Sequence, residues 1–153
     1  MIPTAAALGR ATLALRSGGA IVGRGTYVIE RVAPALFSSN GDARGPAAAQ
    51  ILRIKPDGAR IFESQPVDFG DDGDLLFVTL YATGIRNADA PSRAILLAGA
   101  QTLPISYLGA HAETPGLDQV DARLPRALAG AGVVAVTLQV DGKTSNPVSL
   151  TFR

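Results

Sequence analysis

Apolar and polar residues alternate with a period of two along most of this chain, and the alternation breaks at Gly, Pro, Asp and Asn. That pattern predicts short strands with one covered face, not helices. Residues 11–16, ATLALR, alternate Leu13 and Leu15 with Thr12, Ala14 and Arg16 and stop at Ser17-Gly18-Gly19. Residues 26–32, TYVIERV, set Val28, Glu30 and Val32 on one face and Tyr27, Ile29 and Arg31 on the other. Together they predict an N-terminal hairpin. After Pro34 the turn-rich LFSSNGDARGP reads as a link to the main body.

A second series of strands follows. AAQILRI (48–54) and ARIFE (59–63) flank Lys55-Pro56-Asp57-Gly58, where Pro presets the turn and Gly takes its left-handed position. LLFVTLYAT (75–83) is apolar on both faces and predicts a central strand. AILLA (94–98) precedes QTLPISYL (101–108), where Pro104 predicts an edge position or a bulge. In GLDQVDARLP (116–125) Val120, Ala122 and Leu124 point inward and Gln119, Asp121 and Arg123 outward. VVAVTLQV and NPVSLTFR are joined through Asp141-Gly142, a strong hairpin signal. PRALAG (125–130) has room for one helical turn. The expected fold is therefore all-β: a two-sheet antiparallel sandwich of about eight strands over residues 35–153, preceded by a strand or hairpin segment at 1–34.

Composition sharpens this. The 153 residues include 17 Gly and 10 Pro, and only 5% are aromatic, which suits many strands and tight turns. Fourteen basic residues face thirteen acidic ones, and the basic ones are scattered, so no field exists to bind nucleic acid. No run approaches the eighteen or so apolar residues that span a bilayer, and no membrane insertion is expected. MIPTAAALGR has neither the basic start nor the unbroken apolar stretch of a secretion signal. The absence of Cys removes disulfides, thiolate nucleophiles and the usual structural zinc sites.

The densest chemistry lies in DFGDDGD (68–74), with Asp68, Asp71, Asp72 and Asp74 in seven positions. Alternating carboxylates on a Gly-containing loop suit calcium, but the D-x-[DN]-x-[DN]-G spacing and its later Glu are absent, and a turn is needed there anyway. The turn reading is preferred, and no metal or cofactor site is assigned. His111 is the only histidine, and Ser106 and Glu113 are its neighbours in sequence alone, so no triad is assigned. No G-x-S-x-G elbow occurs, GRGTYV (23–28) lacks a dinucleotide fingerprint, and the DFG tripeptide stands without its kinase companions. No catalytic residue is named. Tyr27, Tyr81 and Tyr107 could stack on a sugar but fall in different strands, which favours packing roles. The loops TGIRNADAPSR and GAHAETPGL are the better candidates for a binding surface.

Three long segments, APALFSSNGDARGPAAAQILRIKPDG, VDFGDDGDLLFVTLYATGIR and GLDQVDARLPRALAGAGVVAVTLQVDGKTSNPVSL, resemble the Solibacter-type C-terminal domain of large secreted proteins of Acidobacteria. The resemblance spans about residues 3–153. It implies an extracellular or cell-surface Ig-like module without established catalytic residues, carried behind other domains. Proteins of that kind have further strands upstream of IPTAAALGRATLALRSGG, so the hairpin is expected to be the tail of an Ig-like unit. An isolated hairpin is marginal in water. It must pack on the sandwich or have its edge completed by another chain. The expected function is a non-catalytic structural or adhesive module that self-associates through edge strands or neighbouring domains. The alternative is a small module binding surface polysaccharide or calcium.

Overall fold

The computed structural model describes residues 6–153 and is all-β with antiparallel sheets. The chain divides into two compact units, one ending at Arg31 and the other Val32–Arg153. The sequence reading put this division after Pro34.

In the first unit, β1 (Gly9–Ser17) and β2 (Ala20–Ile29) form a two-stranded antiparallel hairpin closed at Gly18-Gly19. The second strand begins six residues earlier than TYVIERV suggests and ends at Ile29, because Gly23 and Gly25 are accommodated within it. Ala11 lies opposite Tyr27, Leu13 opposite Gly25 and Leu15 opposite Gly23. These pairs make one face wholly apolar, whereas Arg10, Thr12, Ala14, Arg24, Thr26 and Val28 make up the other. No residue from 6 to 31 is buried.

The second unit is a two-sheet sandwich. One sheet runs in the order β5 (Arg60–Glu63), β4 (Ala49–Ile54), β6 (Leu75–Thr83), β10 (Asp118–Leu124), β9 (Ile105–Ala110), with β3 (Ala35–Leu36) also on β6. The other runs β12 (Lys143–Thr144), β11 (Gly132–Val140), β7 (Ile95–Ala98), β8 (Gln101–Leu103), with β13 (Val148–Phe152) also on β11. Two single-turn 3-10 helices lie at Pro91–Arg93 and Arg126–Leu128. The second of these is the one helical turn allowed to PRALAG.

Period-two alternation becomes a core here. Ile51, Val78, Leu80, Val120 and Ala122 from the first sheet join Leu96, Val136, Leu138 and Leu150 from the second in one buried cluster. β6 is the central strand its composition suggests, with Leu76, Val78, Leu80 and Ala82 buried and Phe77, Thr79 and Tyr81 half-buried on the outer face.

Two segments depart from the sequence reading. QTLPISYL lies at an edge, as Pro104 suggests, but as two strands and not one: β8 and β9 each end their sheet, and the register of β9 on β10 shifts between Asp121 and Ala122. At Pro104 the chain leaves β8 in one sheet and enters β9 in the other, because Pro has no N–H to continue a ladder. LFSSNGDARGP is also more than a link. Leu36 pairs with Ala82 of β6, and the Asn146 side chain accepts from the Leu36 N–H and donates to the Leu36 and Ala43 carbonyls, like an added strand.

Gly84 is fixed by a close approach. Its φ is +76°, the Ala33 N–H donates to its carbonyl at 2.9 Å, and any Cβ would run into the Ala33 backbone.

Candidate functional site

DFGDDGD wraps around a buried arginine. Arg53 lies at an inward position of β4, two residues beyond the core residue Ile51, and is 6% exposed. All five guanidinium N–H groups find acceptors. Nε and Nη2 donate to the Glu63 carboxylate at 2.5 and 3.0 Å, and Nη1 donates to Asp74 Oδ2 at 2.7 Å and the Phe69 carbonyl at 3.2 Å. Nη2 also donates to the Asp68 carbonyl at 2.6 Å. A guanidinium can occupy a core position only when its donors are satisfied in this way.

The loop geometry follows from that demand. The Asp68 side chain accepts the Gly70 N–H at 2.8 Å, turning the chain back over Arg53. Gly70 has φ +58°, and a Cβ there would stand 2.5 Å from Arg53 Nη1 and 2.9 Å from Asp74 Oδ2. A second arginine closes the outside: Arg126 donates to the carbonyls of Gly70 at 3.2 Å and of Asp71, and its Nη1 lies 3.4 Å from Asp72 Oδ1. Lys55 Nζ stands 3.5 Å from Asp74 and 3.6 Å from Asp71.

Three cationic side chains therefore approach the carboxylates and carbonyls of this loop. The four aspartates do not converge, and no group of three or more ligating side chains forms a metal site among the described residues. Asp74 Oδ1 is buried without a hydrogen-bond partner among the described residues. The hydrogen bond from Arg53, aided by Lys55, holds the Asp74 carboxyl below the usual carboxylate range against the opposing effect of burial. In return Glu63, followed by Asp74, hold the Arg53 proton more tightly than in water.

A second charged group is also internal. Asp118, fully buried at the start of β10, accepts from Arg86 Nε at 2.7 Å and the Ile85 N–H at 3.0 Å, while Arg86 Nη2 donates to the Leu117 carbonyl at 3.0 Å. Both of its oxygens are satisfied, so the pair ties the 84–87 turn to the sheet.

The triad candidates remain apart. Ser106 Oγ donates to the Asp121 carbonyl, and His111 Nδ1 accepts the N–H groups of Glu113 and Thr114, each at 3.2 Å. His111 thus closes its own loop. Of the two loops proposed for binding, TGIRNADAPSR borders an open polar depression lined by Asp89, Arg93, Gln139 and Asp141, about 530 Å³ in volume.

The tyrosines do fall in different strands, and register adds what the strands alone do not show. Tyr81 and Tyr107 lie on different strands but share the outer face of the larger sheet. Tyr81 is in register with Gln119 and Gly109, and Thr79 with Asp121 and Tyr107. Thr79 and Gln119 both donate to the Asp121 carboxylate, at 2.7 and 3.0 Å. The Tyr107 hydroxyl reaches over Gly109 to donate to the Ala110 carbonyl at 2.6 Å, and His111 tilts against Tyr81 at 6.0 Å. Tyr27 belongs to the apolar face of the hairpin instead.

Charge is distributed unevenly. Residues 1–31 hold four basic residues and one acidic, a formal +3, and residues 32–153 hold ten basic and twelve acidic, a formal −2. On the apolar hairpin face Leu13 and Leu15 are 60% and 63% exposed above glycines that offer no covering side chain. Compared with known proteins, the chain matches no family model, no curated protein and no solved structure.

Proposed function

We propose that this chain is a non-catalytic structural module of an extracellular or cell-surface assembly, and that its N-terminal hairpin joins it to other copies of itself. One observation carries the reading. A well-registered hairpin presents a face of Ala11, Leu13, Leu15, Tyr27 and Ile29 with no charge on it, and no further strand pairs with either of its edges among the described residues. Such a face and such edges favour strand addition and apolar contact with a partner. The charged groups inside the sandwich support the same view, because Arg53, Asp74, Arg86 and Asp118 are consumed by one another and by backbone. The extracellular, Ig-like part of the proposal rests on the resemblance to the secreted acidobacterial domain.

Light scattering coupled to size exclusion, with negative-stain imaging of the same fractions, tests this reading. Oligomers or filaments that grow with concentration are expected. A monomer at every concentration in the micromolar range overturns it.

The shared face of Tyr81 and Tyr107 favours a second reading, a platform for surface polysaccharide on β6, β10 and β9. Two aromatic rings beside the Gln119 and Asp121 side chains suit a sugar's apolar face and hydroxyls. Binding on a glycan array that disappears in Tyr107→Ala would support it, and a blank array would remove it. The loop supports calcium binding less, because Asp71, Asp72 and Asp74 stand beside Lys55, Arg126 and Arg53.

A further inference from the structure

Resting on the proposal that copies associate through the hairpin, we infer that the surface receiving it is the β5 edge and the adjoining outer face of the larger sheet in a second copy of this chain. Three independent features coincide there.

The first is an open edge. β5 ends the β5-β4-β6-β10-β9 sheet, so its outward N–H and C=O groups face no strand among the described residues. Only four residues long, it would be extended by a longer hairpin strand laid beside it.

The second is an apolar row. Phe62, Leu52 and Phe77 are in register across β5, β4 and β6, and Ile54 and Leu75 stand beside them in the next row. All five point away from the core, and Phe62 is 65% exposed. The hairpin offers the matching relief. Gly23 and Gly25 leave a bare strip of backbone beside Leu13 and Leu15, and a Cβ at Gly25 would meet nothing within 4 Å. An aromatic knob such as Phe62 fits a strip of that kind.

The third is charge. Residues 49–74 contain three basic side chains, Arg53, Lys55 and Arg60, and six acidic ones: Asp57, Glu63, Asp68, Asp71, Asp72 and Asp74. Their formal −3 exceeds the net −2 of the second unit as a whole, and it flanks the β5 edge. The hairpin carries +3. Attraction of this sign steers two copies into one register and disfavours hairpin-to-hairpin pairing.

The donor and acceptor are different surfaces, so each copy can give one hairpin and receive another. A heterologous contact of this kind propagates into a ring or an open filament.

The test uses the full chain with four substitutions at exposed positions, Leu13→Asp on the hairpin face among them, each checked by thermal melting for an intact sandwich. Phe62→Asp removes the knob. Gly25→Val fills the strip with a good strand former that meets no clash, so a purely local role for Gly25 predicts an unchanged or firmer hairpin. Val133→Asp changes an apolar side chain 73% exposed in the other sheet and serves as the control. Phe62→Asp and Gly25→Val are each expected to raise the concentration of half-association by about tenfold or more, and Val133→Asp to leave it within about twofold. Association should also weaken as salt is raised from about 0.05 to 0.5 M.

If Leu13→Asp abolishes association while Phe62→Asp and Gly25→Val do not, this acceptor is wrong and self-association through the hairpin stands. If the parent chain never associates, both fall.

Discussion

β2 and β6 obey the same alternation, yet one lies in a unit with no buried residue among those described and the other at the centre of a core. In β6 every second side chain from Leu76 to Ala82 is buried against the opposing sheet. In the hairpin the same period leaves Leu13 and Leu15 in solvent. The difference lies in the cover. Period-two alternation dictates that a strand has an apolar face, and only a second layer turns that face into stability. A uniformly apolar face on a two-stranded unit, which has no second layer of its own, is therefore the part of this molecule best suited to meet something else.

The sharpest way to break the comparison is to truncate the same residue type in both regions. Leu80→Ala in β6 is expected to cost about 3–4 kcal/mol in urea unfolding, through lost burial and a residual cavity. Leu13→Ala in β1 should stay within about 0.5 kcal/mol for dilute protein, as exposed substitutions do. Equal losses would mean that the hairpin face is covered in solution.

Next in size is Arg53→Ala, expected to lower stability by about 3 kcal/mol, because removing one partner of a buried ion pair leaves Glu63 without its guanidinium and the buried Asp74 with Lys55 alone at 3.5 Å. Urea denaturation reads this directly. A near-neutral result would show that the loop closes without its arginine.

Gly70→Ala should cost about 2 kcal/mol, from a positive-φ position and a Cβ driven against Arg53. In the Arg53→Ala background the loss should shrink, since the obstructing guanidinium is gone. Additive losses in that double-mutant cycle would contradict the contact.

The smallest expected effect is on acid stability. The folded carboxyl of Asp74 is held low chiefly by the Arg53 hydrogen bond, and that of Asp42 chiefly by the Arg44 N–H. A depressed folded pKa adds stability that is fully present above the unfolded value of about 3.9 and is lost as pH falls through the folded one. The urea midpoint should thus hold from neutral pH to about 5 and decline below about 4, with a shallower decline in Asp74→Asn. A midpoint that rises on acidification would reverse the assignment.

Much of this was legible in the sequence, for identifiable reasons. Strands flanked by Pro-Asp-Gly or Asp-Gly announce themselves through turn chemistry, and β4, β5, β6 and β11 follow it closely. β3 is two residues long, too short to show a period, and is held by Asn146 from 110 positions away. The buried charges left a trace that alternation alone reveals. Arg53 follows Ile51, and Asp118 precedes Val120, at inward positions where an apolar residue belongs. Such an intruder signals a satisfied internal partner. What alternation could not supply was the partner's identity, because Glu63, Asp74 and Arg86 reach those positions only through pairing and loop closure. The common face of Tyr81 and Tyr107 was hidden likewise, since it depends on the register of three strands.

Amide hydrogen exchange, resolved by residue at low and high protein concentration, tests the central claim most directly. Amides of β4, β6, β10 and β11 should exchange slowly at both concentrations, while those of β1, β2 and the outer edge of β5 gain protection only as concentration rises. Equal protection of the hairpin at both concentrations, or fast exchange in β6 and β11, would contradict the account.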